Sequence, residues 1–442
     1  MPEKITVFGA GYVGLVTGVC LASSGHDVTV LDVDRAKLDA LAKGPCPFFE
    51  PGLEDLMADA TRAGRLRFDE PSPAARLGGI VIIAVGTPAT AAGSADMRYI
   101  RAVVDQIEKT AEPGTVAVMK STVPPGTGAQ IAERLKVTDI DYVSNPEFLR
   151  EGSAVKDWFH TDRVVLGGST RPVERVRGLY SDIDAPVLAC DITSAEMVKY
   201  AANAFLATKI SFINEIAVLC DRMGASVDEV SYGIGLDNRI GPAFLRPGIG
   251  YGGSCFPKDT RALDFLATLH GYDFHLLRAV IDVNSRQRLL PVRALKTHFC
   301  SLEGLRVAVL GLTFKPETDD TRESPAIEIV DLLEAEGADV IGYNPIPVTL
   351  PDGPPVADSL AEAVRDADAV ILATEWAEIV GADWPALIAT MRPTPFVFDG
   401  RNGLDPGVIQ RAGAVYVGVG RPNGPGCTSL GTDEDAGEGA NR

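Results

Sequence analysis

The chain has no surplus of positive charge: 41 lysines and arginines face 60 aspartates and glutamates in 442 residues, a formal net charge of -19. Nucleic acid and anionic membranes both select basic surfaces, so neither is expected as the main partner. A phosphorylated substrate would need local basic clamps. Also missing is any Cys-x-x-Cys pair. The seven cysteines, Cys20, Cys46, Cys190, Cys220, Cys255, Cys300 and Cys427, are an odd set that suggests neither zinc nor a disulfide framework. The five histidines, His26, His160, His270, His275 and His298, are scattered and suggest no catalytic pair. Apolar stretches such as Ile80 to Val85 fall far short of the roughly 18 residues a membrane helix needs. Met1-Pro-Glu-Lys4 passes straight into an apolar strand, leaving no room for a signal peptide. These absences predict a cytoplasmic, reducing setting.

What is present is alternation. Strand-like runs at Ile5–Phe8, Val28–Leu31, Ile80–Val85, Val116–Lys120, Tyr142–Ser144 and Val164–Leu166 are separated by helical stretches, the pattern of a parallel sheet with helices on both faces. From Thr193 to Arg222 the texture changes to one long apolar stripe, Met197, Ala201, Ala204, Phe205, Thr208, Phe212, Ile216 and Leu219, ended by Gly224. Thr193 with Glu196 reads as a capping box, and the helix should run about eight turns. Helical segments continue to about Phe299 with a kink expected at Pro291. Alternation then resumes with strands at Val307–Leu310, Asp339–Tyr343, Ala369–Ala373 and Phe396–Phe398. The fold class is therefore α/β: two Rossmann-like doubly wound parallel-sheet domains joined by a long central helix and a helical dimerisation region. The expected divisions are 1–192, 193–300 and 301–420, followed by a disordered acidic tail over 421–442.

Gly9-Ala-Gly11-Tyr12-Val13-Gly14 follows the first strand and opens a helix, and the next strand delivers Asp32 about 20 residues on. Glycines there admit a pyrophosphate to the helix N-terminus, while Asp32 suits ribose hydroxyls and would repel the extra phosphate of NADP. The cofactor expected is NAD. A glycine turn with a helix-capping aspartate is the competing reading. Thr87, after Ile80–Val85, and Ser121-Thr122, after Val116–Lys120, also fall at carboxyl ends of strands, where open sheets bind ligands.

The segment Gly250 to Asp259, Gly-Tyr-Gly-Gly-Ser-Cys-Phe-Pro-Lys-Asp, puts Cys255 on a glycine-loosened loop at a helix start marked by Pro257. The positive helix end and Lys258 both favour thiolate, although an inert buried cysteine fits as well. Lys199 and Asn203, spaced i,i+4, project from one face of the long helix, as a reactive pair or as a solvated polar face. Asn145-Pro-Glu147-Phe-Leu-Arg-Glu151 places two carboxylates at another strand end, as site residues or as an ordinary turn. Asp259 could equally be a first-turn dipole partner.

In these blocks the chain resembles the nucleotide-sugar 6-dehydrogenases, the UDP-glucose/GDP-mannose dehydrogenase family. The similarity runs through GAGYVGL at Gly9, EPGLEDL at Glu50, STVPPGT at Ser121, NPEFLREGSA at Asn145, AEMVKYAANAF at Ala195, GYGGSCFPKD at Gly250, FKPETDDTRES at Phe314 and FDGRNG at Phe398. The resemblance implies oxidation of a sugar C6 alcohol to a carboxylate with two NAD⁺ in succession. Cys255 would be the nucleophile, Lys199 and Asn203 would steady the C6 oxygen, Asp259 would act as acid/base through a water with Thr122, and Glu147 would assist thioester hydrolysis. Cofactor contacts would come from Gly9, Gly11, Tyr12, Val13, Gly14, Asp32, Thr87, Thr122, Glu151, Lys258 and Arg322. The UDP-sugar would be held by Phe148, Leu149, Glu151, Phe244, Tyr251, Gly252, Lys315 and Arg401, together with Glu147, Lys199 and Asn203. Arg239 would reach it from the other subunit of a homodimer built on the long helix. Ser254 fits the UDP-glucose branch, since N-acetylmannosamine enzymes usually carry histidine before the cysteine. No metal is implied.

Overall fold

The computed structural model describes residues 2–72, 76–90, 93–351 and 353–421, which form two compact units. Of these described residues, the first unit takes those up to 203 and 261–273; the second takes 204–260 and those from 274 to 421. The expected tail therefore lies, apart from Arg421, outside the described residues. Arg421 itself is bonded to Asp228, Tyr416 and the carbonyls of Asn402 and Leu404.

The first unit holds an eight-stranded sheet: β1 Lys4–Phe8, β2 Asp27–Leu31, β3 Leu66–Asp69, β4 Ile80–Ile83, β5 Val116–Met119, β6 Asp141–Ser144, β7 Val164–Gly168 and β8 Val187–Cys190. Its order is β3-β2-β1-β4-β5-β6-β7-β8. Alternation along β1 explains the two layers. Ile5 and Val7 pack with Leu15, Val16 and Val19 of the helix Tyr12–Ser23, while Phe8 turns to the opposite face with Val81, Ile100 and Val104. The sheet departs from the expected parallel arrangement at one place, where β6 and β7 pair antiparallel through Val143 and Gly168. β3 and β8 were not among the expected strands: in β3 Arg67 and Asp69 interrupt the apolar signal, whereas β8, Val-Leu-Ala-Cys, is a short apolar run whose residues are exposed or half-buried.

The second unit holds a five-stranded, wholly parallel sheet: β9 Arg306–Leu310, β10 Asp339–Tyr343, β11 Ala369–Leu372, β12 Phe396–Asp399 and β13 Val415–Gly418, ordered β10-β9-β11-β12-β13. Val307 and Val309 face Ile329 and Leu333 of the helix Pro325–Ala335, whereas Ala308 and Leu310 face Val370 and Trp376. Both sheets reverse direction of growth beside their first strand, between β1 and β4 and between β9 and β11, which opens a crevice at the carboxyl ends.

The long helix runs Ile192–Met223, belonging to the first unit through Asn203 and to the second from Ala204. The capping box expected of Thr193 and Glu196 does not form. Asp191 caps the helix by accepting from the Ser194 amide at 2.9 Å, and Glu196 is turned inward to other partners. By length and composition this helix could cross a membrane, with a mean hydropathy of 1.3 over 18 residues, which a search for unbroken apolar runs understates. Its first turns are bonded into the first unit through Glu196 and Lys199, as befits a core helix. The expected kink at Pro291 is instead a break at Arg288, between helices His275–Gln287 and Leu289–Phe299. Pro291 then sits in a first turn, where its missing N–H costs nothing.

Candidate active site

The glycine turn after β1 has the shape a dinucleotide needs. Gly9 adopts φ +103°, and a Cβ there would stand 2.5 Å from the Ala84 carbonyl oxygen; one at Gly14 would collide with the Gly9 carbonyl. At Gly11 a Cβ would meet nothing, so the backbone at the start of the helix Tyr12–Ser23 is left open to a ligand. Asp32, at the end of β2, accepts from the Ala10 amide at 2.7 Å and the Asp34 amide at 3.0 Å, with Lys37 at 3.3 Å. Burial pushes its carboxyl up, but the two amides and Lys37 more than offset this and hold it below the usual carboxylate range. It is thus anionic wherever a nucleotide would bind. Asp32→Asn is expected to lower kcat/KM for NAD roughly tenfold or more and to narrow the discrimination against NADP, measurable by initial rates with each. Because the folded value is depressed, the stability Asp32 contributes is full above the ordinary carboxylate range and lost as pH falls through the depressed value. The wild-type advantage over Asp32→Asn in urea melts should disappear in acid on that account.

The first unit also carries most of the other expected site residues, each held by its own contacts. Thr87 donates its hydroxyl to the Thr122 carbonyl at 3.0 Å, joining the loops after β4 and β5. In the loop after β6, Glu147 accepts from Lys199 Nζ at 3.0 Å, and both side chains are buried, 6% and 5% exposed. The second Glu147 oxygen accepts from the Leu149 amide at 2.6 Å. Phe148 lies beneath the Lys199 ammonium, 5.4 Å away, with the Arg163 guanidinium 3.8 Å from its ring. Asn203 is buried one turn beyond Lys199. Neither residue lies on a solvated polar face. Glu151, half-buried, adds to burial and Glu50 in pushing the Tyr12 hydroxyl well above its ordinary range, so Tyr12 remains a donor.

In the second unit the helix Phe256–Leu269 begins at Cys255, whose carbonyl accepts from the Asp259 amide at 2.8 Å; the helix continues into the first unit from Arg261. The Cys255 thiol lies 3.6 Å from the Ser254 hydroxyl. Asp259, 1% exposed, accepts from Lys258 Nζ at 2.8 Å. The glycines of the cysteine loop are required by their neighbours: Gly250 has φ +96° against Asn284, and a Cβ on Gly252 would strike the Glu323 carbonyl. Arg401, half-buried and with its guanidinium held below its ordinary range by desolvation, donates to the Ala373 carbonyl at 2.7 Å and the Gly250 carbonyl at 3.2 Å. Phe244 has φ +64°, a strained value for a bulky residue, and its ring is 6.1 Å from that of Phe256. Lys315 stands over Phe314, and the Arg322 carbonyl accepts from the Gly253 amide. Arg239 projects from the surface, bonded to Asp237.

Several residues that organise these loops were not legible as site residues. Asn284 clamps the cysteine loop: its Oδ1 accepts from the Tyr251 amide at 2.8 Å and its Nδ2 donates to the Tyr251 carbonyl at 3.1 Å. Asn284→Ala should therefore cost about 1–3 kcal/mol by leaving a buried amide unmet, read as a lower urea midpoint. Glu196 accepts from the Gly126 and Gly128 amides, both at 2.7 Å, and so fastens the stiff Thr122-Val-Pro-Pro-Gly126 loop to the long helix. Lys120, buried at the end of β5, donates to Asn145 and Tyr180 at 3.2 Å and faces the Trp158 ring. Among the described residues no cluster of metal-ligating side chains occurs.

Models of one family match in chain order: its NAD binding domain over residues 3–184, its central domain over 193–286 and its UDP binding domain over 308–406. The chain belongs to the UDP-glucose/GDP-mannose dehydrogenase family. A UDP-glucose 6-dehydrogenase of Bacillus subtilis (strain 168), YwqF, is 46% identical over 431 residues, covering 95% of this chain and 98% of that one. A UDP-glucose dehydrogenase from Pyrobaculum islandicum superposes with a TM-score of 0.86 at 36% identity, covering 95% and 98% of the two chains. A UDP-D-ManNAc dehydrogenase from Pyrococcus horikoshii does so with 0.85 at 28% identity, covering 95% and 99%. This family member is thus an α/β oxidoreductase, and its cofactor is NAD. The open Gly11 backbone and anionic Asp32 fit that cofactor.

Proposed function

We propose that this enzyme oxidises UDP-glucose at C6 to UDP-glucuronate in two successive two-electron steps. What carries the reading is the buried Lys199–Glu147 pair, one helical turn from Asn203 and in the same unit as the dinucleotide turn. The near full-length similarity to UDP-glucose 6-dehydrogenases supports the choice of sugar. NAD⁺, when bound through the glycine turn and Asp32, supplies the two-electron acceptor, and two are consumed per sugar.

The chain's own residues divide the remaining work. Lys199 and Asn203 donate to the C6 oxygen as it gains negative charge, a contact of this kind being worth about 3 kcal/mol of barrier. The Cys255 thiolate adds to the C6 aldehyde carbon, giving a thiohemiacetal that retains the intermediate and presents a C–H bond for the second oxidation. Removal of two electrons and two protons leaves a thioester. Water, activated through Asp259 and Thr122 with Glu147 assisting, then cleaves it, releasing the carboxylate and restoring the thiol. Phe148, Leu149, Glu151, Phe244, Tyr251, Gly252, Lys315 and Arg401 hold the UDP-sugar; Lys258 and Arg322 contact the cofactor. We assign these tasks to divisions 1–192, 193–300 and 301–420 of a cytoplasmic homodimer. Phe205, Phe212 and Leu219, seven residues apart and each at least half exposed on the long helix, supply a stripe suited to a second copy, which would contribute Arg239.

Reduction of NAD⁺ with each nucleotide-sugar tests the reading. UDP-glucose should give two NADH per sugar consumed. Preference for UDP-N-acetylmannosamine, the sugar of the Pyrococcus relative, or for GDP-mannose would overturn the substrate, and one NADH per sugar would overturn the double oxidation.

A further inference from the structure

Glu50 is a buried carboxylate, 6% exposed, outside every role assigned above. Its Oε2 accepts from the Tyr12 hydroxyl and from the Gly152 amide at 2.7 Å, and its Oε1 accepts from the Val155 amide at 3.3 Å. The Tyr12 hydroxyl also lies 3.2 Å from the Arg150 carbonyl. Tyr12 is the first residue of the helix that opens at the glycine turn, so its backbone belongs to the dinucleotide cradle while its hydroxyl reaches the far end of the loop after β6. The other end of that loop carries Glu147, bonded to Lys199. One carboxylate thus joins three stretches distant in sequence: the turn at 12, its own loop at 50, and the segment 150–155. Donors to Glu50 are backbone amides and a hydroxyl, and no cation pairs with it among the described residues. Its charge is balanced only while all three stretches stay in place.

We propose that Glu50 and Tyr12 form a link through which dinucleotide at the glycine turn and nucleotide-sugar on segment 147–152 tighten one another's binding. The inference rests on the function proposed above. A cofactor that settles the turn fixes Tyr12, which holds Glu50 and with it the amides of 152 and 155. Ordering that segment in advance removes part of the cost of binding the sugar, and by linkage the sugar must tighten the cofactor equally.

Tyr12→Phe removes only the hydroxyl and leaves the ring on Phe48, at 4.8 Å, so the turn should remain folded. NADH affinity is measured by fluorescence titration with and without UDP-glucose, in wild type, Tyr12→Phe and Glu50→Gln. Wild type should show coupling of about fivefold or more, and both variants a factor near one. Direct ligand-to-ligand contact would survive both substitutions, so unchanged coupling in Tyr12→Phe overturns the link, as does absence of coupling in wild type. Amide hydrogen exchange with NADH alone gives a reading independent of the sugar. Exchange across 150–155 should slow in wild type and not in Tyr12→Phe, and equal slowing in the two overturns the proposal. Failure of UDP-glucose to bind wild type would instead overturn the substrate assignment, leaving the exchange comparison to decide the link.

Discussion

Cys255→Ser is expected to reduce NAD⁺ with UDP-glucose once and then stall, with steady-state release of UDP-glucuronate lowered by at least about 10⁴-fold. The first oxidation turns an alcohol into an aldehyde and draws on Lys199 and Asn203, which the substitution leaves intact. The second needs a carbon bearing a hydrogen and an added nucleophile, and serine's alkoxide is far less accessible at neutral pH than a thiolate. Cys255 is suited to the task by position: the helix Phe256–Leu269 starts at it, with the Asp259 amide bonded to its carbonyl, so it lies where the helix dipole favours negative charge. Rapid-quench measurement of NADH and of the sugar product separates the two stages. Continued formation of glucuronate by the serine variant would remove cysteine from the mechanism. Trapping of the C6 aldehyde of the UDP-sugar would support it.

Lys199→Ala should be damaging twice over. Loss of the cation that steadies the C6 oxygen predicts a fall in kcat of about 10²- to 10³-fold. Loss of the partner also strands Glu147 as a buried carboxylate, which typically costs about 3–5 kcal/mol. Charge and catalysis can be separated by pairing substitutions. Lys199→Met with Glu147→Leu should recover most of the stability, because two apolar side chains tolerate the buried site, and recover none of the activity. Chemical denaturation and initial rates on wild type and these two variants give both readouts. If the double substitution were as unstable as Lys199→Ala, the pair would not be the source of the loss; if it were active, Lys199 would have no part in the chemistry.

Cys255 and Asp32 are legible without tertiary structure, whereas spacing alone leaves Lys199 either reactive or solvated and only its buried bond to Glu147 decides. Cys255 was visible because a run of glycines, a cysteine and a helix-starting proline lie within ten positions. Asp32 was visible because a strand, a glycine turn, a helix and a second strand follow one another at fixed local spacing, and the structure puts its carboxylate against the Ala10 amide. Most strands of both sheets were legible for the same reason, since burial on two faces leaves a short apolar run. β3 was not, as only Leu66 in it is buried. The direction of β7 was illegible for another reason: parallel and antiparallel neighbours have the same periodicity, and the connection decides between them.

By itself, then, the sequence determined the α/β class and the dinucleotide turn, because each is written in contacts only a few residues apart, and it offered the candidate reactive side chains through their resemblance to a family's blocks. Tertiary structure alone decided what holds those side chains in place. Glu196 looks locally like part of a capping box, yet its oxygens meet amides about 70 residues away. Asn284 clamps Tyr251 from 33 positions off, and Glu50 reaches Gly152 across 102. A carboxylate or amide of that kind has no period and no local partner. Its role exists only once the chain has folded and burial obliges every polar atom to find a bond.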